Sequence, residues 1–182
     1  QKAAKRMVGC LVIAQSGYLL LGLLVLDQVG VAALLYNLVI ELFALMGTFF
    51  VLAFMYDETQ SDQLKDLRGM LGRAVPECIC LVLFLLCLIG LPPLPEFIGK
   101  FALIGAVVRH QWPVLAIVAI ASMTISTVAI ARLAYTLVGD YRLPVRQPIT
   151  PSFQRKAFLV GLLVPMFMVG VFAEFVLDWA GK

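Results

Sequence analysis

A run of 34 residues from Val75 to Val108 is strongly apolar on both sides and broken in its middle by Gly90-Leu91-Pro92-Pro93-Leu94-Pro95-Glu96. Four uninterrupted apolar runs surround it, at about 7–26, 31–55, 112–138 and 157–177. Each is near the roughly 20 residues that an α-helix needs to cross about 30 Å of hydrocarbon. A chain of 182 residues with 62% hydrophobic and 14% charged residues cannot cover that much apolar surface with polar side chains. The sequence therefore predicts one all-α integral membrane domain over 1–182 with five transmembrane segments, the third a discontinuous helix over 75–108 broken at 90–96.

The broken run is open to two readings, two full crossings or one. Neither the 17 residues from Pro76 to Pro92 nor the 14 from Pro95 to Val108 are enough for a full crossing. One crossing puts the N-terminus and the 56–74 and 139–156 loops on one face. That face then holds Lys2, Lys5, Arg6, Lys65, Arg68, Arg73, Arg142, Arg146, Arg155 and Lys156, against Arg109 and Lys182 opposite. Two crossings move Arg142, Arg146, Arg155 and Lys156 across and weaken the bias. The positive-inside rule favours one crossing, with the basic face toward the matrix or cytoplasm. The 56–74 segment is read as a loop with room for a short surface helix.

Other features are informative by what they leave out. Cys10, Cys78, Cys80 and Cys87 all lie in apolar stretches and are read as buried, inert thiols. The single histidine, His110, is too far along the chain to complete a metal site with them, so no metal ligand set is expected. A net charge of +3 gives no reason to expect a nucleic-acid partner. The chain opens on Gln1 with Lys2, Lys5 and Arg6 before an apolar run too long for a signal-peptide core, which predicts a processed or incomplete start.

Charges inside the membrane carry the functional reading. Lys100 sits six residues into the second half-helix, near mid-membrane, where an ammonium costs several kcal/mol unless it meets water or a partner. It is read as a proton carrier, with a structural ion pair as the alternative. Glu96 lies four residues earlier, on the same helix face and in the first turn, where the helix dipole favours an anion. Glu41, with Asn37 one turn before it, is the other mid-membrane charge and is read as equally consistent with a proton path or a structural pair. Arg132, with Ser122, Ser126 and Thr127, is expected to bond neighbouring helices, and His110 to sit at the interface. Gly90, Pro92, Pro93, Pro95 and Gly99 are assigned to the helix break, because prolines remove backbone donors and stop both half-helices there. Exposed backbone is not tolerated in lipid, so neighbouring helices must cover the break.

These residues resemble one family. Gly90-Leu91-Pro92-Pro93-Leu94-Pro95-Glu96-Phe97-Ile98-Gly99-Lys100-Phe101 is similar to the Gly-Ile-Pro-Pro-Leu-x-Gly-Phe-x-Gly-Lys-Phe signature of the NADH dehydrogenase subunit 2 family of respiratory complex I. Lys5-Arg6-Met7 with Gln15-Ser16-Gly17-Tyr18 resembles its Lys-Arg-Met-x-x-Tyr-Ser-Ser-Ile-x-His-x-Gly-Tyr segment, and Asp66-Leu67-Arg68-Gly69-Met70 fits its short loop. Cys10, Leu11 and Val12 depart from that pattern, as do Glu41 and Glu96. The likeness covers most of the chain and weakens after about Tyr141.

The resemblance implies an antiporter-like membrane subunit of a proton-translocating NADH:ubiquinone oxidoreductase, with Lys100 on the lysine of the second broken helix. It implies no cofactor on this chain, with flavin, iron–sulfur clusters and quinone on partner subunits. Members normally have about fourteen helices, so the chain aligns with the last five. A split subunit is expected, a separate chain supplying the missing N-terminal helices, among other complex I membrane subunits and lipids. The implied location is the mitochondrial inner membrane, with a bacterial plasma membrane or thylakoid as alternatives. The rivals are a piece of an Mrp-type cation/proton antiporter and a non-conducting structural subunit.

Overall fold

A computed structural model of the chain describes residues 3–25, 27–92, 94–138 and 153–172. Pro93, the 139–152 part of the basic loop and the end of the last expected span lie outside these residues. Among the described residues six α-helices follow in order: α1 (Ala4–Val25), α2 (Gln28–Thr59), α3 (Val75–Ile89), α4 (Pro95–Arg109), α5 (Pro113–Val138) and α6 (Phe153–Val171). By length and composition α1, α2, α6 and Pro113–Leu137 of α5 can each cross a membrane, and the count rises to five if a bent pair is taken as one span. That pair joins the 3-10 segment Leu64–Gly72 to α3 at 119°.

Local chemistry sets the boundaries. The Asp27 side chain caps α2 by accepting the Gly30 N–H at 2.5 Å. α2 runs on to Thr59, so residues 56–59, expected in the loop, are its last turn, and Gln60 closes it in the left-handed region at φ 52. The rest of that expected loop forms two 3-10 turns, Leu64–Leu67 and Met70–Gly72. Proline occupies the first turn of α3 and of α4, where its missing N–H has no intrahelical partner to lose. Residues 153–156, expected in a loop, open α6.

α2 is the central helix and packs against α1, α3, α4 and α6. Its register with the broken element decides the topology. Near the start of α2, Asp27 pairs with His110 just beyond α4, at 3.5 Å. Further along, Asn37 meets Gly99 of α4, and Gly47 receives the ring of Phe84 from α3. Partner numbers fall steadily as α2 numbers rise, so α4 and α3 together run antiparallel to α2 as one discontinuous crossing. At 15 residues each, the halves are about 22 Å long and individually too short to span.

Contacts at the far end of α2 gather the basic segments. Lys5 lies over the Tyr56 ring at 3.7 Å and pairs with Asp62 at 3.8 Å, while Arg155 lies over Phe54 at 4.4 Å. The start of α1, the 3-10 segment and the start of α6 thus share one end of the bundle. Arg109 and His110 lie at the other.

Candidate functional site

Ending a helix in mid-bundle leaves its last carbonyls without intrahelical donors, and this chain supplies donors for them. Gly90 turns into the left-handed region at φ 74, which glycine adopts without steric cost, and its N–H donates to the Cys87 carbonyl at 2.8 Å. The Leu88 carbonyl accepts from Lys100 Nζ at 2.6 Å and also from Gln15 Nε2 of α1. Beyond the turn, Leu94 N–H donates to Leu91 at 2.7 Å and Phe97 N–H to Leu94 at 3.1 Å. The break therefore occupies residues 90–94. Pro95 and Glu96, the last residues of the expected 90–96 break, form the first turn of α4, the place that the sequence also predicts for Glu96.

The two helix ends match the charges set against them. The negative end of α3 faces the Lys100 ammonium, and Glu96 sits at the positive end of α4. Lys100 Nζ and Glu96 Oε1 form an ion pair of 2.8 Å, one turn apart, with residue exposures of only 3% and 1%. These values place both groups inside protein and away from lipid. Lys100 also lies 5.0 Å from the centre of the Tyr18 ring, whose hydroxyl donates to the Ala119 carbonyl. Buried Glu41 on α2 is within electrostatic range of Lys100 and of Glu96.

Cover for the break comes from this chain. The Tyr36 hydroxyl donates to the Pro95 carbonyl at 2.9 Å, Gly170 of α6 lies against the Pro95 ring, and Gln15 closes the α1 side. Asn37 Nδ2 donates to its own helix at Ala33, 3.0 Å away, and leaves its oxygen turned to Gly99. Three buried acceptors in this region, Glu96 Oε2, Gln15 Oε1 and Asn37 Oδ1, have no hydrogen-bond donor among the described residues. Unfilled acceptors of this kind mark places where water is favoured. The arrangement can hold and exchange a proton, since it combines an ammonium, two carboxyls and open acceptors inside the bundle.

Lys100, Glu96 and Glu41, singled out from the sequence, come together; Gly90 and Gly99 stand at the turn and at the α2–α4 contact. Arg132 does not bond a neighbouring helix among the described residues: it is exposed on α5, because the lining face carries Ser126 instead. The cysteines divide, Cys78 and Cys87 buried, Cys80 intermediate and Cys10 exposed, since Cys10 lies on the outer face of α1. Gln15 and Tyr36 were not singled out as site residues; a polar side chain every few turns in an apolar helix was the available signal. Glu77 was also passed over, although it is buried on α3 and both its oxygens lack a donor among the described residues. Two departures from the resembled pattern meet at Lys100: Gln15 stands where that pattern has His, and Glu96 where it has Gly.

Residues 1–126 match the family described as NADH:quinone oxidoreductase/Mrp antiporter, TM. The chain belongs to that family. Among its curated members, NADH-quinone oxidoreductase subunit N of Moorella thermoacetica is 35% identical over 179 residues, covering 94% of this chain and 36% of the relative. NAD(P)H-quinone oxidoreductase subunit 2 of the Nephroselmis olivacea chloroplast is 38% identical over 103 residues, covering 57% and 20%. A chain of respiratory complex I from Thermus thermophilus, solved with bound aureothin, superposes with a TM-score of 0.77 at 25% identity, over 98% of this chain and 40% of that one. The antiporter-family chain thus spans about a third of the length of the curated relatives it matches.

Proposed function

We propose that this chain forms a proton-carrying part of an antiporter-like membrane subunit of an NADH:quinone oxidoreductase, with Lys100, Glu96 and Glu41 on the proton path. The observation that carries this reading is the buried Lys100–Glu96 pair at the open end of α3, within range of Glu41. A purely structural bundle gains little from three ionisable groups in its interior, because desolvation offsets most of their attraction. The remaining length of the subunit, on the same polypeptide or another, completes the path. Flavin, iron–sulfur clusters and quinone belong to partner subunits, and lipids surround the outer face. Bacterial and chloroplast relatives favour a bacterial plasma membrane or a thylakoid over the mitochondrial inner membrane.

The family also includes Mrp antiporters, which makes cation/proton exchange the second reading. The partner set separates the two. Affinity purification of the chain from its native membrane should bring down flavin and iron–sulfur proteins, and the assembly should acidify one side of a vesicle when given NADH and quinone. Recovery with other antiporter subunits and no redox protein would establish the second reading instead.

A further inference from the structure

We infer that Gln15 is a positioning residue for the proton step at Lys100: it keeps the open end of α3 satisfied when the ammonium gives up its proton. The inference rests on the proposed proton-carrier role of Lys100 and deepens it. The Leu88 carbonyl has no donor of its own helix to accept from, and two side chains from different helices share it, Lys100 from α4 and Gln15 from α1. In the charged state, Lys100 satisfies Glu96 Oε1 and the Leu88 carbonyl together.

When an N–H bond of that ammonium breaks, its proton forms a new O–H bond on a water or carboxylate, and a neutral amine remains. The amine is a weaker donor and no longer holds the carbonyl by charge. Without a second donor, the buried carbonyl would be left with that weaker donor alone, so the charged lysine would be favoured and proton release hindered. Gln15 removes that obstacle, because its amide already donates to the same oxygen. The other end of the amide points the same way. Gln15 Oε1 is buried with no donor among the described residues, on a side chain whose residue is 2% exposed, so it is open to a water that receives the proton.

The test uses the assembled complex in proteoliposomes, measuring protons moved per NADH oxidised together with the amount of assembled complex. Gln15→Leu should lower the proton yield roughly tenfold, the effect of losing one buried hydrogen bond, with assembly near normal. The pH at which pumping is half-maximal should move to the alkaline side, because release then requires a stronger pull. Gln15→His, which keeps an N–H donor, should restore most of the yield. Lys100→Ala is the control for the underlying reading: if it pumps normally, that reading fails. If Lys100→Ala abolishes pumping while Gln15→Leu keeps both its yield and its pH profile, the inference about Gln15 alone is overturned. Should Gln15→Leu fail to assemble, Gln15→His carries the test, and a loss of yield there without a shift in pH profile overturns it as well.

Discussion

The Asn37 side chain sits against Gly99 so closely that its oxygen is 2.5 Å from where a Cβ on residue 99 would stand. This contact sets the spacing of α2 and α4 one residue before Lys100. It makes the position of the lysine depend on the absence of a methyl group on its neighbour.

Gly99→Ala should therefore act at a distance from the chemistry. Pushing the helices apart costs about 1–3 kcal/mol, the usual range for overpacking. Less assembled complex should survive mild heating in detergent. Adding Asn37→Ser, which clears the space, should recover much of the loss; no recovery would mean that the Asn37 contact is not what Gly99 protects.

At Lys100 the two substitutions to compare are Ala and Arg. Lys100→Ala removes the exchanging group while the turn at Gly90 and Pro92 remains, so proton yield should fall far more than assembly. Lys100→Arg should be nearly as damaging, because a guanidinium with a pKa above about 12 holds its proton. Normal pumping by Lys100→Arg would leave only a structural ion pair with Glu96.

Gly90→Ala tests the turn itself. At φ 74 an alanine costs about 1–2 kcal/mol, and its methyl would stand 3.1 Å from the Lys100 side chain. Both the assembled amount and the proton yield should drop. A wild-type yield at normal assembly would show that the left-handed turn is not needed to place the ammonium.

Topology can be read by labelling. In a Cys10→Ser background, cysteines at Lys65 and Lys156 should react with a membrane-impermeant maleimide from one face. A cysteine at Gln111 should react only from the other. Labelling of positions 65 and 156 from opposite faces would require two full crossings between Val75 and Val108.

Membrane class, the broken third segment and the candidates Lys100, Glu96 and Glu41 were all legible in the sequence. Each follows from local facts: the length of an apolar run, prolines without donors, and charges where lipid tolerates none. Helix ends were less legible. Arg155 looks like a loop residue by polarity, yet it lies within the first turn of α6. A guanidinium over an aromatic ring is favourable in the folded bundle, which a linear reading does not weigh.

What only the tertiary structure decided is which side chains meet. Gln15 and Lys100 are far apart in the chain but donate to one carbonyl, and Arg132, as polar as either, faces outward. Sequence determined that this chain enters a bilayer and breaks one helix there, because hydrophobic length and proline chemistry are properties of short segments. The rotation of each helix about its axis depends on packing against neighbours remote in sequence, and that packing set Gln15, Glu96 and the Leu88 carbonyl around one buried lysine.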